Sequence, residues 1–150
     1  MSRNEIDQPN VIVFFTDQQR WDTCGCYGQP LDIPPNLDRM AREGVRFEQA
    51  FTCQPVCGPA RSCIQTGKWA TETGCFRNNI GLPRDEKTIA HWMSEAGYEV
   101  GYIGKWHLAS TGGIEGRPEE NYRAEAVPTE LRGGYKDYWL ASDVLEFTSH

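Results

Sequence analysis

The chain has 150 residues, 39% of them apolar, and a formal net charge of -6 at neutral pH. That is enough apolar material for one core in a single soluble domain, and the acidic balance, with no Lys or Arg cluster, excludes a nucleic-acid-binding surface. Residues 1–10 lack the apolar core of a secretory signal and no run is long enough to span a bilayer, so the expected location is cytoplasmic, with no membrane partner.

In chain order, the pattern alternates between strand and helix. A short tail over residues 1–9 precedes a domain over residues 10–150. Residues 11–15 (Val11, Ile12, Val13, Phe14, Phe15) form a continuous apolar, β-branched and aromatic run, as expected of a buried parallel strand, and end in a polar cluster that puts Asp17 at its carboxyl end. Residues 36–43 read as a short helix stopped by Gly44, and residues 45–51 as a strand. A helix follows near Pro59 and runs to about Thr66, with Gly67 as its stop. Thr88 caps a helix over residues 89–96 ended by Gly97, and residues 98–103 read as a strand feeding into Lys105 and His107. Beyond Ser110 the chain is a polar, glycine-punctuated loop, and residues 137–145 read as the start of another helix.

The five residues from Cys57 to Arg61 (Cys-Gly-Pro-Ala-Arg) carry the most chemistry. Pro59 suits the first turn of a helix, where its missing N–H costs nothing, so Cys57 sits at the positive end of the helix dipole. Arg61 lies four positions on, shares a face with residue 57 and can lean toward the same anion. The pattern is an anion site built around a thiol.

The six cysteines, at 24, 26, 53, 57, 63 and 75, do not form the paired Cys-x2-Cys knuckles of structural zinc sites. Without an export signal a disulfide framework is not expected either. Most of these thiols are expected to be small buried residues, Cys57 excepted.

The run from Pro55 to Gly67 resembles the signature of type I sulfatases, in which Cys-x-Pro-x-Arg directs oxidation of the cysteine to formylglycine; Gln65 stands where the family has an apolar residue. Residues 11–19 resemble the family's first strand and metal-binding turn, with Gln18 where a second aspartate is common. Gly104-Lys105-Trp106-His107 resembles its Gly-Lys-x-His element. The resemblance implies an α/β fold, the amino-terminal portion of an alkaline-phosphatase-like mixed sheet, so residues 10–150 would be part of a sulfatase catalytic domain.

It also implies a chemistry. One hydroxyl of the hydrated aldehyde at residue 57 attacks sulfur, and the other later loses its proton so that carbon–oxygen cleavage expels sulfate. Arg61 would hold the hydrate, Lys105 would bridge it to the sulfate, and His107 would assist the second deprotonation, as suits an imidazole. Lys105 and His107 alternate and would share one side if the strand continues through them. Asp17, Gln18 and residue 57 would ligate a divalent cation, Ca2+ foremost, Mg2+ or Mn2+ otherwise. Implied partners are a small-molecule or carbohydrate sulfate ester and a formylglycine-generating enzyme. Two other readings stand beside sulfuric ester hydrolysis: a phosphonate or phosphodiester monoester hydrolase of the same superfamily, and an inactive amino-terminal fragment, since three or four strands are too few for the family's sheet.

Overall fold

The computed structural model describes residues 8–31 and 35–144, and the chain divides into two compact units, Met1–Ala50 and Phe51–His150. In the first unit, helix α1 (Pro35–Glu43) starts on a proline and ends where Gly44 N–H returns to the Met40 carbonyl at 2.8 Å, matching the expected helix. Two 3-10 turns, Trp21–Thr23 and Gly25–Tyr27, precede it. The Asp38 carboxylate on α1 accepts the Cys26 N–H at 2.7 Å and lies so close to Gly25 that a Cβ there would collide with it.

Neither of the strands expected over residues 11–15 and 45–51 forms. Residues 11–15 adopt no strand and are exposed, Ile12 to 87%, and Val45, Phe47 and Phe51 of the second run are exposed as well. The physical reason is that β-propensity describes fitness for a pleated, half-buried surface and has no effect without a neighbouring strand. Among the described residues the paired strands are both in the second unit.

There, helix α2 (Cys57–Thr66) carries Pro59 in its first turn and stops at Gly67, whose φ is 71° and whose N–H bonds the Cys63 carbonyl at 2.8 Å. A single turn, α3 (Ala70–Thr73), follows. Helix α4 (Ile89–Glu95) is capped by Thr88, whose hydroxyl accepts the Ala90 N–H at 3.2 Å. His91 completes the cap, its Nδ1 accepting the Thr88 N–H at 3.1 Å.

Strand β1 (Gly101–Lys105) starts later than the expected 98–103, because Tyr98 N–H is taken by the Met93 carbonyl in the closing turn of α4. It pairs in parallel with β2 (Tyr138–Ser142), from Gly101 opposite Tyr138 to Lys105 opposite Ser142. The helix expected over 137–145 is therefore a strand, with Leu145 outside the described residues. Non-local contacts override its local pattern: the Asp137 carboxylate accepts the Val100 N–H at 2.8 Å, and Trp139 stacks on Tyr102 with ring centroids 5.5 Å apart.

The core of this unit gathers Cys75, Ile80, Leu82, Ala90, Val100, Trp106 and Leu108. The stretch after Ser110 is loop, as expected, apart from a Thr111–Glu120 bridge and a 3-10 turn at Thr129–Leu131. It nevertheless supplies Val127, Leu131 and Tyr135 to the core. Among the described residues no helix is long and apolar enough to cross a membrane.

Candidate active site

Helix α2 holds Cys57 half-buried at its first position, after Val56 in an extended conformation. The Gly58 N–H, one of the donors a helix start leaves without an intrahelical partner, is taken by the Asn78 side-chain oxygen at 2.9 Å. A Cβ at Gly58 would press on that same oxygen at 3.1 Å, so the smallest residue permits the contact.

Arg61 points inward. It is 7% exposed, and its Nη1 donates to the Lys105 carbonyl at 2.6 Å and to the Tyr102 hydroxyl at 3.3 Å. Tyr102 itself donates to the same Lys105 carbonyl at 2.7 Å. Burial raises the Tyr102 phenol above its ordinary pKa, against the opposing pull of the Arg61 charge, so the hydroxyl keeps the proton it donates. The Cys57 helix and the end of β1 are thus joined through one buried guanidinium.

Lys105 and His107 are both buried, at 6% and 8% exposure. The expectation that they alternate along one strand is not met. β1 ends at Lys105, and His107 adopts a left-handed φ of 60°. Between them Trp106 is fully buried: its N–H extends the ladder to the Ser142 carbonyl at 2.8 Å, its indole N–H donates to Leu131 at 2.9 Å, and its ring meets Tyr102 edge-on. The strand ends beside the anchored tryptophan, and His107 follows it in a left-handed backbone conformation. Among the described residues only Gln18, Asn79 and His107 are non-glycines with positive φ. Two of the three are candidate site residues, which is where strained backbone collects.

Asp17 and Gln18 form an exposed bend in the first unit, Gln18 at φ 56°. A carboxylate and a carboxamide are the donors a hard cation takes, but such a cation wants roughly six to eight oxygens. Among the described residues no group of three or more His, Cys, Asp or Glu is disposed to hold a metal ion. The described residues therefore do not by themselves make up a cation site.

Asp143 and Asn78 escaped the sequence reading, and Gln65 was noted there without a partner for its polar side chain. Asp143, fully buried, accepts the N–H groups of Ala109 and Ser110, each at 2.9 Å, and so holds the segment that leaves His107. A carboxylate just past a parallel strand was its only signal, hidden by the helical reading of that segment. Asn78 had no signal beyond an Asn-Asn pair. Gln65, the departure from the family pattern, accepts a hydrogen bond at 2.9 Å from the buried Tyr135 hydroxyl, which explains a polar residue on that face. The thiols also differ from expectation: only Cys24 and Cys75 are buried, and Cys53 is exposed. Cys53 lies in the loop before α2, Cys57 and Cys63 lie on α2, and Cys26 lies in the 3-10 turn Gly25–Tyr27.

The chain is similar to known proteins. The sulfatase family model matches residues 9–137. An ulvan-active sulfatase of Formosa agariphila is 37% identical over 139 residues, which are 93% of this chain and 25% of that protein. The crystal structure of yidJ from Bacteroides fragilis superposes with a TM-score of 0.70 at 29% identity, covering 87% of this chain and 30% of its own. A protein solved in complex with its substrate D-glucosamine-2-N,6-O-disulfate superposes at 0.55 with 40% identity, over 63% of this chain and 19% of that one. The chain spans about a fifth to a quarter of the length of the curated relatives it matches. With the family model covering most of its length and the helix-borne Cys-x-Pro-x-Arg joined to Gly-Lys-x-His, the chain belongs to the sulfatase family.

Proposed function

We propose that this chain carries the nucleophile end of a sulfuric ester hydrolase that cleaves carbohydrate sulfate monoesters, with Cys57 oxidised to formylglycine as the nucleophile. The observation that carries the reading is the 2.6 Å hydrogen bond from Arg61 to the Lys105 carbonyl, which brings the start of the cysteine helix beside the lysine and histidine of the second motif. The carbohydrate class rests on the disulfated glucosamine held by one structural neighbour.

In this reading the helix amino terminus favours negative charge at residue 57. Arg61 fixes the Lys105 backbone, so the ammonium of Lys105 is presented from an anchored residue with little reorganisation when a sulfate arrives. His107, held between Trp106 and the segment clasped by Asp143, takes a proton from the second hydroxyl of the hydrate and gives it up to solvent once sulfate has left. A hydrated aldehyde supplies two hydroxyls on one carbon, so sulfate leaves by carbon–oxygen cleavage and the aldehyde is restored. Asp17 and Gln18 contribute oxygen donors toward a divalent cation, Ca2+ by family habit. The remaining ligands would lie in the part of the relatives' length that this chain does not span.

The test is mass spectrometry of the tryptic peptide over residues 47–61, isolated from the protein's own host. An aldehyde or its hydrate at residue 57 is the expected result, and an unmodified thiol throughout would overturn the nucleophile. Turnover of an aryl sulfate in preference to an aryl phosphonate by the full-length protein separates sulfatase from the phosphorus-ester alternative.

A further inference from the structure

The sulfur atoms of Cys53 and Cys63 lie 2.8 Å apart, the one thiol–thiol contact among the described residues. Cys53 is exposed in the loop before α2, and Cys63 is half-buried on the helix itself. The loop is held in place independently of the thiols: the Gln54 side-chain amide donates to the Phe76 carbonyl at 2.8 Å, and Val56 N–H bonds the Gln54 carbonyl at 2.9 Å. The two sulfurs are therefore brought together by a fixed backbone.

We propose that Cys53 and Cys63 form a thiol–disulfide exchange site that small-molecule disulfides oxidise, closing a covalent ring around the segment that contains Cys57. The proposal does not rest on the sulfatase reading, because no step uses Cys57. Burial, followed by hydrogen bonding to Cys53, pushes the Cys63 thiol up to about 11, so Cys63 keeps its proton near neutrality and exchange enters at the exposed Cys53. The Cys53 thiolate attacks one sulfur of oxidised glutathione and releases one glutathione. Cys63 then gives up its proton and displaces the second glutathione from the Cys53 sulfur. Two protein thiols lose two electrons and two protons, and the glutathione disulfide becomes two molecules of glutathione.

The buried Cys24 and Cys75 provide internal controls. The chain is incubated with oxidised glutathione, alkylated, cut with trypsin and analysed by tandem mass spectrometry. The expected product joins peptides 47–61 and 62–68, with fragment ions placing the bond on Cys53. Its rate of closure rises as pH increases toward 11. Cys53→Ser, a near-isosteric change, should leave Cys63 open to alkylation, whereas Cys63→Ser should trap Cys53 as its mixed disulfide with glutathione. Cys63 that stays alkylated throughout, or that joins Cys57 as often as Cys53, overturns the proposal. The state of residue 57 is read in the same spectra, so failure here and failure of the formylglycine assignment are told apart.

Discussion

Arg61 donates through Nη1 to the main-chain oxygen of Lys105 at 2.6 Å, a contact across forty-four positions that ties the first turns of the cysteine helix to the last residue of β1. Charge-assisted bonds of this kind contribute about 1.5–3 kcal/mol, and truncation of Arg61 removes the shorter of the Arg61 and Tyr102 bonds to that carbonyl. Arg61→Ala should cost about 3 kcal/mol in urea denaturation. Arg61→Lys should recover less than half of it, because a lysine ammonium does not reproduce the reach and fixed direction of the guanidinium Nη1 that serves both Lys105 and Tyr102. A loss within 0.5 kcal/mol of zero for Arg61→Ala would show the contact to be inconsequential.

Gln65 and Tyr135 form a buried pair at 2.9 Å. Gln65→Leu leaves the Tyr135 hydroxyl without its acceptor and should destabilise by about 1–3 kcal/mol, whereas adding Tyr135→Phe removes the orphan and should restore most of the loss. A double-mutant cycle by thermal or chemical unfolding measures this, and strict additivity of the two changes would contradict it.

Asp143 serves two backbone donors at once. Asp143→Ala should cost about 3 kcal/mol or more, while Asp143→Asn, which keeps one oxygen, should cost roughly half as much. Amide hydrogen exchange at Ala109 and Ser110 should accelerate in step with the loss.

Burial raises the phenols of both Tyr102 and Tyr135. Their folded pKa values lie above the unfolded value of about 10, so the protonated form is favoured by folding; the stability they contribute is complete below about pH 10 and is lost as pH climbs through the folded values. Denaturation midpoints should therefore decline above about pH 10, with phenolate absorbance at these positions appearing only as the chain unfolds. Tyr135→Phe should flatten part of that decline.

The helices were legible because their signals are local. Pro59, Gly67, Thr88 and Gly97 each act through the backbone within a turn of their own position, and α2 and α4 begin and end close to where those residues predict. The strands were not. Residues 11–15 have the composition of a buried strand and remain exposed, while residues 138–142, read as helical, pair with β1. A ladder depends on a partner remote in the chain, and composition carries no address for it.

By itself the sequence determined the helix that begins at Cys57, its dipole and the residue types Cys57, Arg61, Lys105 and His107, because motif spacing and punctuation are local quantities. Only the tertiary structure decided that Arg61 turns inward to the Lys105 carbonyl, that His107 adopts a left-handed backbone conformation, and that Asn78 and Asp143 brace the elements around them. Those arrangements follow from where Trp106 buries its ring and which buried donors and acceptors must find partners, conditions set by the whole packed core.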